Sequence, residues 1–261
     1  MPDRPETDHS EPVPSPRSLD EVLQIVADVE GWLTDDQIAR LHAAATGAPA
    51  GGRIVEIGSF RGRSTIVLAS AAPPDTDVVA IDPHAGNDRG PQEIEGFEAE
   101  AATDNAVFEA NLDRAGVRSR VTHHRLFSAA AHDAVEGDID VLFIDGAHRF
   151  APARADIRDW GARVVPGGRM LIHDSFSSVG VTLAILVELV LSGGWRYEGR
   201  SGSLAEYRRT RLSPADRAGN AARQLLQLGW FVRNVVVKAL ILAGLGRFTR
   251  LLGHRQQTWP H

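Results

Sequence analysis

Cysteine is absent from this chain, which excludes disulfides and thiolate metal sites and makes a reducing compartment no hindrance. Aromatic residues are few, at 6%. The opening eighteen residues, MPDRPETDHSEPVPSPRS, contain no apolar run of the kind a secretory signal needs, so cytoplasmic residence is the expectation. Acidic residues vanish after Asp216. From Arg217 onward there are seven Arg or Lys and no Asp or Glu, so this tail carries +7 and residues 1–216 carry −13. A basic tail on an acidic body is hidden inside a net charge of −6. Uninterrupted apolar segments long enough to span a bilayer are also missing, because Arg233, Asn234 and Lys238 break the only candidate.

What is present divides the chain into four parts. Residues 1–18 hold five prolines interleaved with charges and cannot bury enough apolar area to offset chain entropy; they read as disordered. Residues 19–50 form a helical preface. Leu19, Val22, Leu23, Val26 and Val29 recur at helical spacing, and TDDQ at 34–37 is a capping-box pattern ahead of Ile38 and Leu41. Residues 51–212 alternate apolar strands with helical segments. The strands fall at 53–57, 77–81, 120–123, 139–144 and 169–172, and a hairpin closes at 195–207. That pattern predicts an α/β fold, a doubly wound and mostly parallel seven-stranded sheet with its ligand edge at the strand C-termini. Residues 213–261 are the basic, apolar, helical tail.

The first strand ends in IVEIGSFRGRST, residues 54–65. Glu56 closes the strand, Gly58 and Gly62 let the backbone come close to a ligand, and Ser59, Ser64 and Thr65 sit where a helix begins with free N–H groups. The spacing E-x-G-x-x-x-G lacks the middle glycine that a pyrophosphate requires, and Phe60 stands near its place. The loop therefore suits S-adenosylmethionine better than a nicotinamide dinucleotide. Asp82, ending the second strand in VVAID, is positioned to accept ribose hydroxyls. In LFSAAAHDA, Leu126 or Phe127 offers a flat apolar contact for adenine, and Ser128 offers either a polar contact or a helix cap.

Taken together, IVEIGSFRGRST, VVAID and IDVLFIDGAHRFAPARADIRDWGARVVPGGRMLIHD resemble a class I S-adenosylmethionine-dependent methyltransferase. Within that class they resemble the metal-dependent O-methyltransferase branch that includes macrolide-sugar methyltransferases. The resemblance spans about residues 30–210. It implies a divalent metal, Mg2+ first, on the positions of Asp145, His173 and Asp174, with Asp145 also facing the cofactor. His173 departs from the carboxylate of well-known relatives and brings Mn2+ and Fe2+ into competition. Adjacent strand residues also point to opposite faces, which tells against His173 and Asp174 both binding. His148, three residues past Asp145, is the nearby side chain able to act as a base near neutral pH, and relatives carry the base there. The implied reaction is displacement at the sulfonium methyl by a substrate hydroxyl.

The acceptor expected from these readings is a sugar or glycoside. His84, Asp88 and Arg89, in the long polar insertion after the second strand, are candidates to hydrogen-bond it, and SFSSVG after Asp174 offers hydroxyls rather than an aromatic wall. Catechol-type O-methylation is the first alternative; a cofactor-binding protein without turnover, tethered by its tail, is an alternative of another class. Nucleic acid is not expected as a partner, because the acidic body repels phosphate. Residues 217–255 suit either peripheral contact with anionic lipid or a homo-oligomer interface.

Overall fold

The computed structural model describes residues 15–84 and 97–253. Of the segment 1–18 expected to be disordered, 1–14 lie outside them, as do Asp88 and Arg89 of the insertion, whereas Arg17 is ordered, its N–H donating to Ser70 C=O at 2.8 Å and its guanidinium to Ala115 C=O at 2.7 Å.

Two helices open the described chain, α1 (Leu19–Val26) and α2 (Asp35–Thr46). Ser18 starts α1: its backbone N–H donates to Glu21 at 2.8 Å, while its hydroxyl accepts from the Glu21 N–H at 3.4 Å. At α2 the Thr34 N–H donates to the Gln37 side chain at 2.9 Å, the return bond that TDDQ predicts. Val22, Val26, Ile38 and Leu41 are fully buried in the same cluster as Ile54, Ile66 and Phe143. The preface thus shares its core with the sheet.

The alternation that follows is β1 (Arg53–Ile57), α3 (Arg63–Ala71), β2 (Asp77–Ile81), α4 (Phe97–Ala115), β3 (Val121–His124), β4 (Ile139–Ile144), α5 (Phe150–Ala155), β5 (Val164–Ile172), α6 (Val179–Glu188), β6 (Trp195–Ser201) and β7 (Leu204–Arg209). The seven strands lie in the order β3-β2-β1-β4-β5-β7-β6. β1 to β5 are parallel; β7 runs antiparallel between β5 and β6. This is the α/β doubly wound sheet that the sequence predicts. Because β1 has β2 on one side and β4 on the other, the chain order reverses at β1, and a crevice opens over its C-terminal end.

Two details depart from the strand-by-strand reading. The strand expected at 169–172 begins earlier, at Val164, so that Pro166-Gly167-Gly168 lies inside β5; Gly167 takes φ 86° and the β4–β5 register shifts between Ile139 and Val141. The bulge keeps Arg169 to Ile172 in step with β4. After α5 the chain continues as one wide π-helical turn, Asp156–Trp160, which buries Trp160 completely.

The tail forms α7 (Pro214–Leu225) and α8 (Leu228–Leu242). Ser213 caps α7, and Asn220 pairs with the β6 backbone, accepting from Tyr197 N–H at 2.7 Å and donating to Trp195 C=O at 3.1 Å. α7 thereby covers the free edge of the sheet.

Candidate active site

The loop after β1 turns at Gly58, φ 87°, directly over the end of β4; a Cβ there would collide with the Asp145 carbonyl. Phe60 takes φ 44° and Gly62 φ 89°, the latter as the N-cap of α3. Three backbone left-handed turns in five residues need an external tie. Asp82 supplies it, accepting from Ser59 N–H at 2.9 Å and Phe60 N–H at 2.8 Å through one oxygen, and from His84 N–H at 2.7 Å through the other. The carboxylate expected to meet ribose hydroxyls therefore also shapes the loop.

Glu56 is completely buried beneath this loop. Thr65 donates its hydroxyl to one Glu56 oxygen and Ser64 also hydrogen-bonds the side chain, yet burial dominates and pushes the carboxyl up to about 8. Among the described residues Glu56 Oε1 and Ser59 Oγ have no hydrogen-bond partner although both are buried. Polar atoms left in this state beside a glycine loop match a site built around a polar ligand. On the opposite wall Phe127 is 65% exposed and precedes a short 3-10 turn, 128–130. Ser128 hydrogen-bonds Asp156; the cap position belongs to Phe127.

At the ends of β4 and β5 the charged side chains converge. β5 stops at Ile172, and Asp174 turns through φ 55°, so strand alternation no longer governs where its carboxylate points. Ligand atoms of Asp145, His148 and Asp174 all lie within 4.8 Å of one another. His148 Nε2 stands 2.5 Å from Asp174 Oδ2. Burial alone would raise the Asp174 carboxyl, but the hydrogen bond from His148 and the charges of His173, His148 and Lys238 together hold it well below the usual carboxylate range. His173, named as a third ligand from the sequence, is outside this trio. It is buried, with Nδ1 3.0 Å from Asp145 Oδ1, and so backs one of the two carboxylates. The third member of the trio is His148.

Other expected contacts are distributed differently. The hydroxyls of SFSSVG are engaged within the protein: Ser175 Oγ donates to Ile172 C=O at 2.8 Å and Ser178 Oγ to His148 C=O at 3.3 Å. Ser177 takes contacts from Lys238. His84 is buried against Phe108 and His123 rather than presented to solvent, and burial lowers its pKa.

Three residues at the site's edge escaped the sequence reading. Trp32, from the α1–α2 connection, lies with its ring centroid 4.9 Å from that of Phe60, so the preface reaches the glycine loop. Arg61 fastens the same junction to Asp104 at 2.8 Å and to Glu30. Lys238 of α8 donates to Ser177 C=O at 3.0 Å, three residues past Asp174. A lone Lys within an apolar helix was the available signal for it.

Residues 55–175, from β1 through the segment after β5, match a protein family described as a methyltransferase domain. The cofactor-bound Rv0187 protein from MTB is similar at a TM-score of 0.52 and 20% identity, over 75% of this chain and 90% of that one. A protein from Corynebacterium glutamicum is similar at 0.54 and 14%, over 75% and 90%. At such identities the likeness is one of fold. The matched span holds the glycine loop, Asp82 and the Asp145, His148 and Asp174 cluster, and the seven-stranded sheet around it has the Rossmann-like α/β fold of methyltransferases.

Proposed function

We propose that this chain transfers a methyl group from S-adenosylmethionine to a hydroxyl of a sugar or glycoside, with help from a divalent cation. The observation that carries the reading is the convergence of Asp145, His148 and Asp174 at the same strand edge as the glycine loop. Two carboxylates meeting in one enclosed site are costly unless a cation or a protonated base joins them. Their oxygens suit Mg2+ or Mn2+, and an imidazole beside them favours the latter.

Gly58, Ser59, Gly62 and Asp82 would hold the cofactor's amino-acid and ribose groups, with Ser64, Phe127 and Ser128 completing the pocket and Glu56 beneath it. When bound, S-adenosylmethionine supplies an electrophilic methyl on a sulfonium. Asp145 and Asp174 would hold the cation that acidifies the acceptor hydroxyl. His148 accepts the hydroxyl proton, and Asp174, 2.5 Å from its Nε2, orients the ring and stabilises the imidazolium. His173 positions Asp145. A histidine cannot bind metal and take a proton through the same lone pair, so ligand and base are distinct roles for His148.

A catechol-type acceptor is the second reading, favoured by Trp32 and Phe60, whose neighbouring rings, tilted by 35°, offer an aromatic surface at the loop. The same surface accepts the apolar face of a pyranose.

The test follows methyl transfer from radiolabelled S-adenosylmethionine to a panel of glycosides and catechols, with EDTA, Mg2+ or Mn2+. Calorimetric titration with S-adenosylmethionine, its demethylated product and NADH runs beside it. Label appearing in a glycoside, lost with EDTA and restored by metal, is the expected result. Label in catechols alone moves the acceptor to the second reading. Cofactor binding with no product and no effect of Asp145→Ala leaves a binding protein without turnover, and NADH binding in place of S-adenosylmethionine overturns the reading of the glycine loop.

A further inference from the structure

α8 is arranged inside out for a soluble protein. Its polar residues face the body: Asn234 is fully buried and donates to Phe176 C=O at 3.4 Å, and Lys238 reaches Ser177. Val237 is buried and Trp230 and Phe231 pack on the core, but other apolar residues face outward. Val232 is 57% exposed, Leu242 65% and, in the turn that follows, Leu251 85%, with Val235, Val236 and Phe248 also on the surface. Arg223, Arg247 and Arg250 are exposed around them, and no acidic residue occurs from Arg217 onward. Nothing in the tail can neutralise that charge internally.

We propose that α8 and the turn after it dock on an anionic lipid bilayer surface. Exposed aliphatic side chains flanked by exposed arginines, with Trp230 beside the Arg200 guanidinium at the helix start, form the surface that inserts shallowly among lipid headgroups. By length and composition the Pro214–Leu242 stretch passes for a membrane-crossing helix, but only 11% of its apolar window is buried in the protein. Two features make it lie flat rather than span. The 15 residues of α8 reach about 22 Å, short of the roughly 30 Å of a hydrocarbon core. Arg233 and Lys238 are tied to backbone carbonyls of Leu252 and Ser177, contacts that a spanning helix would have to give up.

A second copy of the chain is the rival occupant. A two-fold contact through α8 would place two tails of +7 against each other with no carboxylate to pair them, which disfavours it over an anionic surface. Docking fixes the helix that also holds the segment after Asp174, so the lipid surface lies beside the candidate active site.

The test is co-sedimentation of the full chain with vesicles of phosphatidylcholine alone and of phosphatidylcholine mixed with phosphatidylglycerol, across a range of salt. Sedimentation velocity without lipid reports the oligomeric state. Binding confined to the phosphatidylglycerol vesicles and weakening with salt is expected. Arg247→Gln and Arg250→Gln should each cost roughly fivefold in affinity, and the triple variant Val232→Ser, Val236→Ser, Leu242→Ser should abolish binding. All five positions are exposed, and an unchanged melting temperature verifies the fold of each variant. Equal binding to both vesicle types, or none to either, overturns the proposal. So does a lipid-free dimer that the triple variant dissociates. None of these readouts depends on methyl transfer.

Discussion

The substitution Glu56→Gln isolates a single buried carboxyl. Burial pushes Glu56 up to about 8 from an ordinary 4.5, with Asp145 and Asp82 adding to the effect and the Ser64 and Thr65 hydrogen bonds opposing it. The unfolded chain releases this proton near pH 4.5, whereas the folded protein keeps it until about pH 8. Between those values the folded state binds more protons, so stability falls as pH rises; the contribution is complete below 4.5 and lost above 8. At about 1.4 kcal/mol for each pH unit the window carries roughly 5 kcal/mol, an upper bound because ionisation draws in water and loosens the site. A loss of about 3 kcal/mol between pH 5 and pH 9 is the expected share. Glutamine keeps the shape and the contact with Thr65 but has no proton to lose. Urea unfolding of both proteins at pH 5, 7 and 9 should show the variant within about 1 kcal/mol of wild type at pH 5 and ahead by about 3 kcal/mol at pH 9. Parallel pH curves would refute the assignment of a proton to Glu56.

Gly58→Ala places a Cβ against the Asp145 carbonyl at φ 87°, a combination costing about 3 kcal/mol or more; calorimetry should record a lower melting temperature and weak S-adenosylmethionine binding. His148→Ala should lower kcat by a factor of about 10² to 10⁴ while Mn2+ affinity changes little if His148 is the base; loss of Mn2+ binding by calorimetric titration would make it a ligand. Trp32→Ala should raise KM for the acceptor several-fold, with cofactor affinity unchanged, in steady-state assays that vary each substrate in turn.

The fold was legible because its signals are local. Strands buried on both faces read as apolar runs, and the short breaks between them left little freedom in the order of elements. The loop at 54–65 was legible for the same reason: Gly58 and Gly62 are required by backbone conformations that β1 and α3 impose. What was obscured depends on contacts far apart in sequence. Asp82 reaches the loop from the next strand, Trp32 lies 28 positions before Phe60, and Lys238 lies 61 positions after Ser177. No periodicity in the chain encodes those distances.

The histidines of the acidic cluster make the point most sharply. Alternation along a strand placed His173 and Asp174 on opposite faces, and that rule holds only while the chain remains extended. β5 ends at Ile172, and the positive φ of Asp174 rotates its carboxylate out of register, so it meets His148 from a different strand-end loop while His173 stays buried against Asp145. A non-glycine residue held in this conformation costs about 1 kcal/mol or more. The hydrogen bond to His148 and the neighbouring positive charges that hold the carboxylate ionised are what offset it. Asp174→Gly would relieve the backbone and remove the charge together, whereas Asp174→Asn keeps the strain and removes only the charge. If the strained turn exists to aim a carboxylate, both variants should lose metal affinity in calorimetric titration. Only the glycine variant should match or exceed wild type in melting temperature. A stable asparagine variant that still binds metal would detach the turn from the chemistry.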